Sequence, residues 1–138
     1  MGKFSDQIKS RVSTYDRRAR TTARKAMEMT VNDMMTLRSQ GGRLRLDTGF
    51  LANSAGASIG QIPTGPSESP GGTITTQLTG LPLPVALLQW QPGQTFYWGF
   101  TANYSRFRES EDGFVRGAAE KWQGNVRDAA RDAKARIR

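Results

Sequence analysis

The sequence predicts an α+β domain in which a long N-terminal helix and a long C-terminal helix flank an antiparallel sheet of about four strands. Three observations predict it. Apolar residues recur at steps of three and four from Phe4 to Leu37. Side chains alternate at steps of two in the aromatic run Thr95-Phe96-Tyr97-Trp98-Gly99-Phe100-Thr101. From Phe114 to Ile137 the step returns to between three and four. At 138 residues the chain fits one domain, residues 1–138.

In the first helix Phe4, Ile8, Val12, Tyr15, Ala19, Ala23, Ala26, Thr30, Met34 and Leu37 keep one register. That spacing predicts a single amphipathic helix over residues 5–39, closed by Gly41 and Gly42. At about 1.5 Å per residue it would be on the order of 50 Å long. The middle of its seam is mostly alanine, with Met27, Met29, Met34 and Met35 at its C-terminal end. Small seam residues admit a second helix, and residues 114–137 are the expected partner, with Phe114, Ala118, Trp122, Val126, Ala130, Ala133 and Ile137 on one face. The methionines read as core or interface filler, the alternative being an adaptable partner-binding surface.

Between the helices, Asp47 or Thr48 is placed to cap a short helical turn through Phe50 and Leu51, and Gly49 to permit a tight approach. This corner leads into a first strand over residues 55–62. Residues 63–72, rich in Pro, Gly and Ser, read as the mobile tip of a hairpin whose second strand is residues 73–79. Residues 80–84 form a proline-stiffened crossing, and residues 85–90 read as a buried strand. A Pro-Gly turn at 91–94 pairs that strand with residues 95–101, so the sheet occupies 55–101. Gly99 suggests a bulge or a close neighbouring backbone. Residues 102–109 read as a polar connection. Nine of the twelve aromatic residues lie between Trp90 and Trp122, so the core is expected to be densest there.

Composition narrows the function classes. There are no cysteines and no histidines, which removes thiol nucleophiles, thiolate zinc sites and the commonest general base. Glu109, Glu111 and Asp112 form the one acidic cluster, but they are nearly consecutive just before a helix, where the helix dipole favours them without any ion. No phosphate loop with its lysine is present. The expectation is therefore no enzyme, no metal and no cofactor. No apolar run approaches membrane-spanning length and the N-terminus lacks a signal-peptide core, so a soluble intracellular product is expected.

The net charge of +8 is unevenly spread. Residues 1–46 hold eleven Lys/Arg against four Asp/Glu, residues 47–112 two against five, and residues 113–138 seven against three. Arg17, Arg18, Arg20 and Arg24 are the candidates for electrostatic contact, with nucleic acid as one partner class. No base-reading motif accompanies them, and solvated helix faces are the plainer reading.

Three segments together resemble one family, the tail-completion (neck, head-to-tail joining) proteins of lambda-type phages with long non-contractile tails. Asp47-Thr48-Gly49-Phe50-Leu51-Ala52-Asn53-Ser54 is similar to the family's D-T-G-x-L-x-x-S. The stretch from Gly99 through Ala102 and Tyr104 to Glu109 is similar to its G-x-x-A-x-Y-A-x-x-x-E, with Ser105 in place of the alanine. Gly113-Phe114-Val115 is similar to the start of its last helix. The resemblance implies a structural virion protein, made in the host cytoplasm and placed at the neck as a ring of six copies. The ring would lie between the head connector or adaptor and the tail terminator or tail tube. The uneven charge, taken alone, suggests nonspecific contact with DNA in the channel. Asp47, Thr48, Gly49, Tyr104, Arg106, Glu109 and Phe114 are the candidates for subunit or partner contact, with Tyr104, Arg106 and Glu109 holding either a neighbour or the junction between sheet and last helix. The rival expectations are a small basic nucleic-acid-binding protein and, within the phage context, a tail terminator or head-closure adaptor.

Overall fold

A computed structural model describes residues 2–138. The chain begins with one helix, α1 (Gly2–Met34), of 33 residues. It ends five residues before the expected Ser39, because the chain doubles back on it. Arg38 N–H donates to the Leu44 carbonyl at 2.8 Å and Leu44 N–H to the Thr36 carbonyl at 3.2 Å. Gly42 makes this loop possible, since a Cβ there would lie 2.0 Å from the Thr36 carbonyl oxygen. The return places Leu44 at 0% exposure. Burying a leucine contributes about 1.5–3 kcal/mol, more than another frayed helical turn would.

The expected sheet of about four strands is overturned. Among the described residues the sheet is a two-stranded antiparallel ribbon, β1 (Ala55–Ile59) with β2 (Phe96–Phe100), in the register Ala55 to Phe100. Gly99 pairs with Gly56 in that register without a bulge, and a Cβ there would meet the Pro63 ring at 3.7 Å, an ordinary contact. Residues 73–79 form no strand and do not pair with β1 as a hairpin. Their backbone bonds go to the preceding corner: Ile74 N–H donates to Thr48 and Leu78 N–H to Asn53, both at 2.8 Å. Two glycines let this segment lie so close. A Cβ at Gly49 would sit 2.2 Å from the Ile74 carbonyl oxygen, and one at Gly56 would sit 1.8 Å from that of Thr79. Residues 63–72 consequently cap no hairpin. They run beside the end of β2, where Thr101 Oγ1 donates to the Pro66 carbonyl and Asn103 N–H to that of Ser67, each at 2.8 Å.

The apolar run at 85–90 is helical, α3 (Leu83–Gln89), not a strand. A short apolar run does not reveal its period. Here the prolines decide: Pro82 is the N-cap and Pro84 lies in the first turn, where a missing N–H loses no helical bond. Ala86 and Leu87 face inward. The 91–94 turn therefore joins a helix to β2. The polar connection after β2 also folds, into a short helix, α4 (Ser105–Asp112), which ends at Gly113 in the left-handed conformation, φ +64°.

The 47–54 segment holds a short corner helix, α2 (Phe50–Asn53), and the last helix is divided in two. The halves are α5 (Phe114–Ala119) and α6 (Trp122–Arg136), where one helix over 114–137 is expected. α5 buries Phe114 and Ala118 in the core with Met34, Leu44, Phe50, Leu51 and Ala102. α6 then runs antiparallel along α1. The break allows both, and Lys121 at the joint lies 3.4 Å from Asp33 of α1. Of the expected seam only part packs: Ala26 and Ala133 are buried, Ala129 takes the place of the exposed Ala130, and Ala19 and Trp122 are exposed, because α6 is rotated from the expected face. Asn125 Nδ2 donates to Thr30 Oγ1 at 3.0 Å at one end of the seam, and Arg18 Nε to the Ile137 carbonyl at 2.6 Å at the other.

Two glycine substitutions test this packing by urea unfolding. Gly56→Ala drives a methyl into the Thr79 carbonyl and should lower stability by about 2–3 kcal/mol. Gly124→Ala, in α6 with open space around it, should raise stability by about 0.4–1 kcal/mol.

Candidate functional site

The residues singled out by motif gather around α4, on two sides of it. On one side a cleft of about 600 Å³ is lined by Asp47, Thr48, Gly49 and Tyr104 with Arg45 and Arg108. The corner holds its shape locally. Gly49 adopts φ +87°, Thr48 Oγ1 accepts from Phe50 N–H at 3.3 Å, and Asn53 Nδ2 donates to the carbonyls of Gly49 and Ile74 at 2.9 and 3.0 Å. Tyr104 packs on the corner through its ring, 6.1 Å from that of Phe50. On the other side Arg106, Glu109 and Phe114 line a shallower cleft with Trp98 and Phe100. Phe114 meets Phe100 edge to face at 5.0 Å, so it serves the core more than the surface.

Each acid of the cluster has a distinct task. Glu109 reaches forward and accepts from the backbone N–H of Val115 and Arg116 at 2.8 and 2.9 Å, satisfying free donors at the start of α5. Glu111 lies within 3.6 Å of Arg45 and 3.5 Å of Arg108. Asp112, with a side chain only 2% exposed, accepts from Arg38 at 2.8 Å and Arg45 at 2.7 Å through Oδ1. The hydrogen bond from Arg45 to Asp112 raises the guanidinium's pKa further above its already high ordinary value. Among the described residues no three His, Cys, Asp or Glu side chains are grouped to hold a metal ion. The arrangement is one of bracing: its charges are directed at one another.

Three of the four N-terminal arginines are also engaged within the chain. Arg18 holds the Ile137 carbonyl, Arg24 Nη2 donates to that of Trp90 at 2.8 Å, and Arg20 lies 3.1 Å from Asp16 and 3.3 Å from Gln91. Arg17 is exposed. The pairing of Arg38 and Arg45 with Asp112 carried no sequence signal, since 74 and 67 residues separate the partners. An apolar groove between α1 and α6, lined in part by Trp122, Val126 and Ala130, was also hidden, because those residues read as the inner face of the last helix.

Compared with models of protein families, with curated proteins and with solved structures, the chain matches none. The likeness to tail-completion proteins therefore rests on the three motif segments alone.

Removing an acid separates the two kinds of bracing. Glu109→Ala should lower stability by about 1–2 kcal/mol through the lost cap. Asp112→Asn should lower the urea midpoint, and the loss should persist at high salt because the carboxylate is shielded from solvent.

Proposed function

We propose that this chain is a structural protein of a phage neck, which joins the head connector to the tail tube as a ring of identical copies. The observation that supports this most is spatial. The three segments carrying the resemblance meet in one place: Phe50 and Leu51 from the first, Ala102 from the second and Phe114 and Ala118 from the third share one buried cluster. Met34 and Leu44, from outside the three segments, complete the same cluster, so the segments act as parts of one core. The paired charges around α4 fit a scaffold that presents surfaces, and no nucleophile beside a base is evident there.

The rival from another class is a small basic nucleic-acid-binding protein. The engagement of Arg18, Arg20 and Arg24 within the chain weighs against it, because phosphate contact would compete with those bonds. In the neck reading, DNA contact in the channel is nonspecific and secondary.

Phage particles made without this chain test the proposal. Electron micrographs should show filled heads and finished tails lying separate, and purified chain added to the mixture should join them. Overlong tails would instead mark a tail terminator, and complete virions would overturn the neck reading. The nucleic-acid reading predicts that the isolated chain binds duplex DNA and loses at least tenfold in affinity between low and physiological salt.

A further inference from the structure

Two apolar surfaces of this chain have no cover. The first is a ridge. Phe4, Ile8, Val12 and Tyr15 are 72%, 47%, 60% and 63% exposed on one side of α1. They continue the face on which Ala26 and Thr30 meet α6, but α6 stops at Arg136 beside Arg18, so the first four turns project past the body. The second is a furrow. Where α1 and α6 diverge, Ala19, Ala23, Trp122, Val126 and Ala130 line a groove of about 570 Å³. It runs on, through the shared Ala23 and Trp122, into a second of about 420 Å³ reaching Met27 and Met34.

Ridge and furrow match in form. The ridge from Phe4 to Tyr15 is about 17 Å long, and the furrow from Ala19 to Met34 about 23 Å, at 1.5 Å rise per residue. One is a convex helical face and the other a trough between two helices, the usual seat for a third. A chain cannot fill its own furrow. Between Lys3 and Met34 there is neither proline nor glycine, so α1 has no hinge on which the arm could fold back. The occupant has to come from another molecule.

We infer that the projecting first half of α1 from one copy of this chain seats in the α1–α6 groove of a second copy. The inference rests on the ring reading above and supplies its contact. Area argues for closure. A helix about 12 Å wide and about 21 Å long, half covered, buries on the order of 800 Å² with its groove, short of the roughly 1,200 Å² that a stable interface needs. Two such contacts in one interface, as in a reciprocal pair, bury about twice that and clear the requirement, whereas in a ring each interface keeps the single contact and closure secures it because every subunit is held on two sides.

The absence of cysteine makes the test direct. The full chain with Ile8→Cys is mixed with the full chain carrying Ala130→Cys and treated with a short bis-maleimide. Heterodimers linking the two variants are expected to dominate, whereas Ser10→Cys, on the opposite side of the arm, should give at least tenfold less. Ile8→Asp or Val126→Asp should lower the mass seen by light scattering to that of a monomer, with unchanged circular dichroism. Predominant linking of Ile8→Cys to itself would overturn the inference in favour of arm-to-arm pairing. Unaltered assembly of Ile8→Asp, or a wild-type chain that stays monomeric at all concentrations, would overturn it as well. Assembly through arm and groove by a chain that fails to join heads to tails would sink the neck reading and leave this one standing.

Discussion

Asp112 is a carboxylate withdrawn from water at the end of α4, and it accepts hydrogen bonds from Arg38 and Arg45. Both arginines lie in the loop that turns back from α1 and carries Leu44 into the core between them in sequence. The charge pair thus fixes the place where the N-terminal third of the chain meets the C-terminal third. Gly113 follows at once and reverses the chain, and Glu109 from the same helix caps α5. One turn of sequence therefore binds the loop, ends one helix and starts the next. Breaking such a pair is harmful mainly because a buried charge is left without a partner.

Helices were legible where a long register made the period unambiguous. The helix from Phe4 to Met34 and its pairing with a helix near the C-terminus follow from spacing within one element, but the contact face does not: Ala129, not Trp122 or Ala130, is buried against α1. The sheet was not legible. The run Val85-Ala86-Leu87-Leu88 is compatible with either period, and the prolines before it were read as a barrier to a strand when they were the start of a helix. The alternation of Ile74, Thr76 and Leu78 marks no strand: this segment bonds the corner at Thr48 and Asn53, a choice made by the glycines opposite it. Around α4, the corner at Asp47 to Ser54 was readable from its turn residues. The arginine partners of Asp112 were not, because pairing at long range leaves no local trace.

Charge reads differently once the partners are visible. A run of arginines on α1 resembles a surface for anions, yet Arg18 and Arg24 are spent on backbone carbonyls at the ends of α6 and α3. Guanidinium groups suit this role because their planar donors satisfy carbonyls that helix ends leave free. The basic excess of the N-terminal segment is in part a means of fastening other elements to one long helix.

That helix is gripped along only its second half. Tilting the gripped portion by one degree sweeps the far tip through about 0.4 Å, given a free length near 22 Å at 1.5 Å per residue. Whatever the tip engages is thus mechanically geared to the orientation of the body, and small rotations of the body become sizeable displacements at its end.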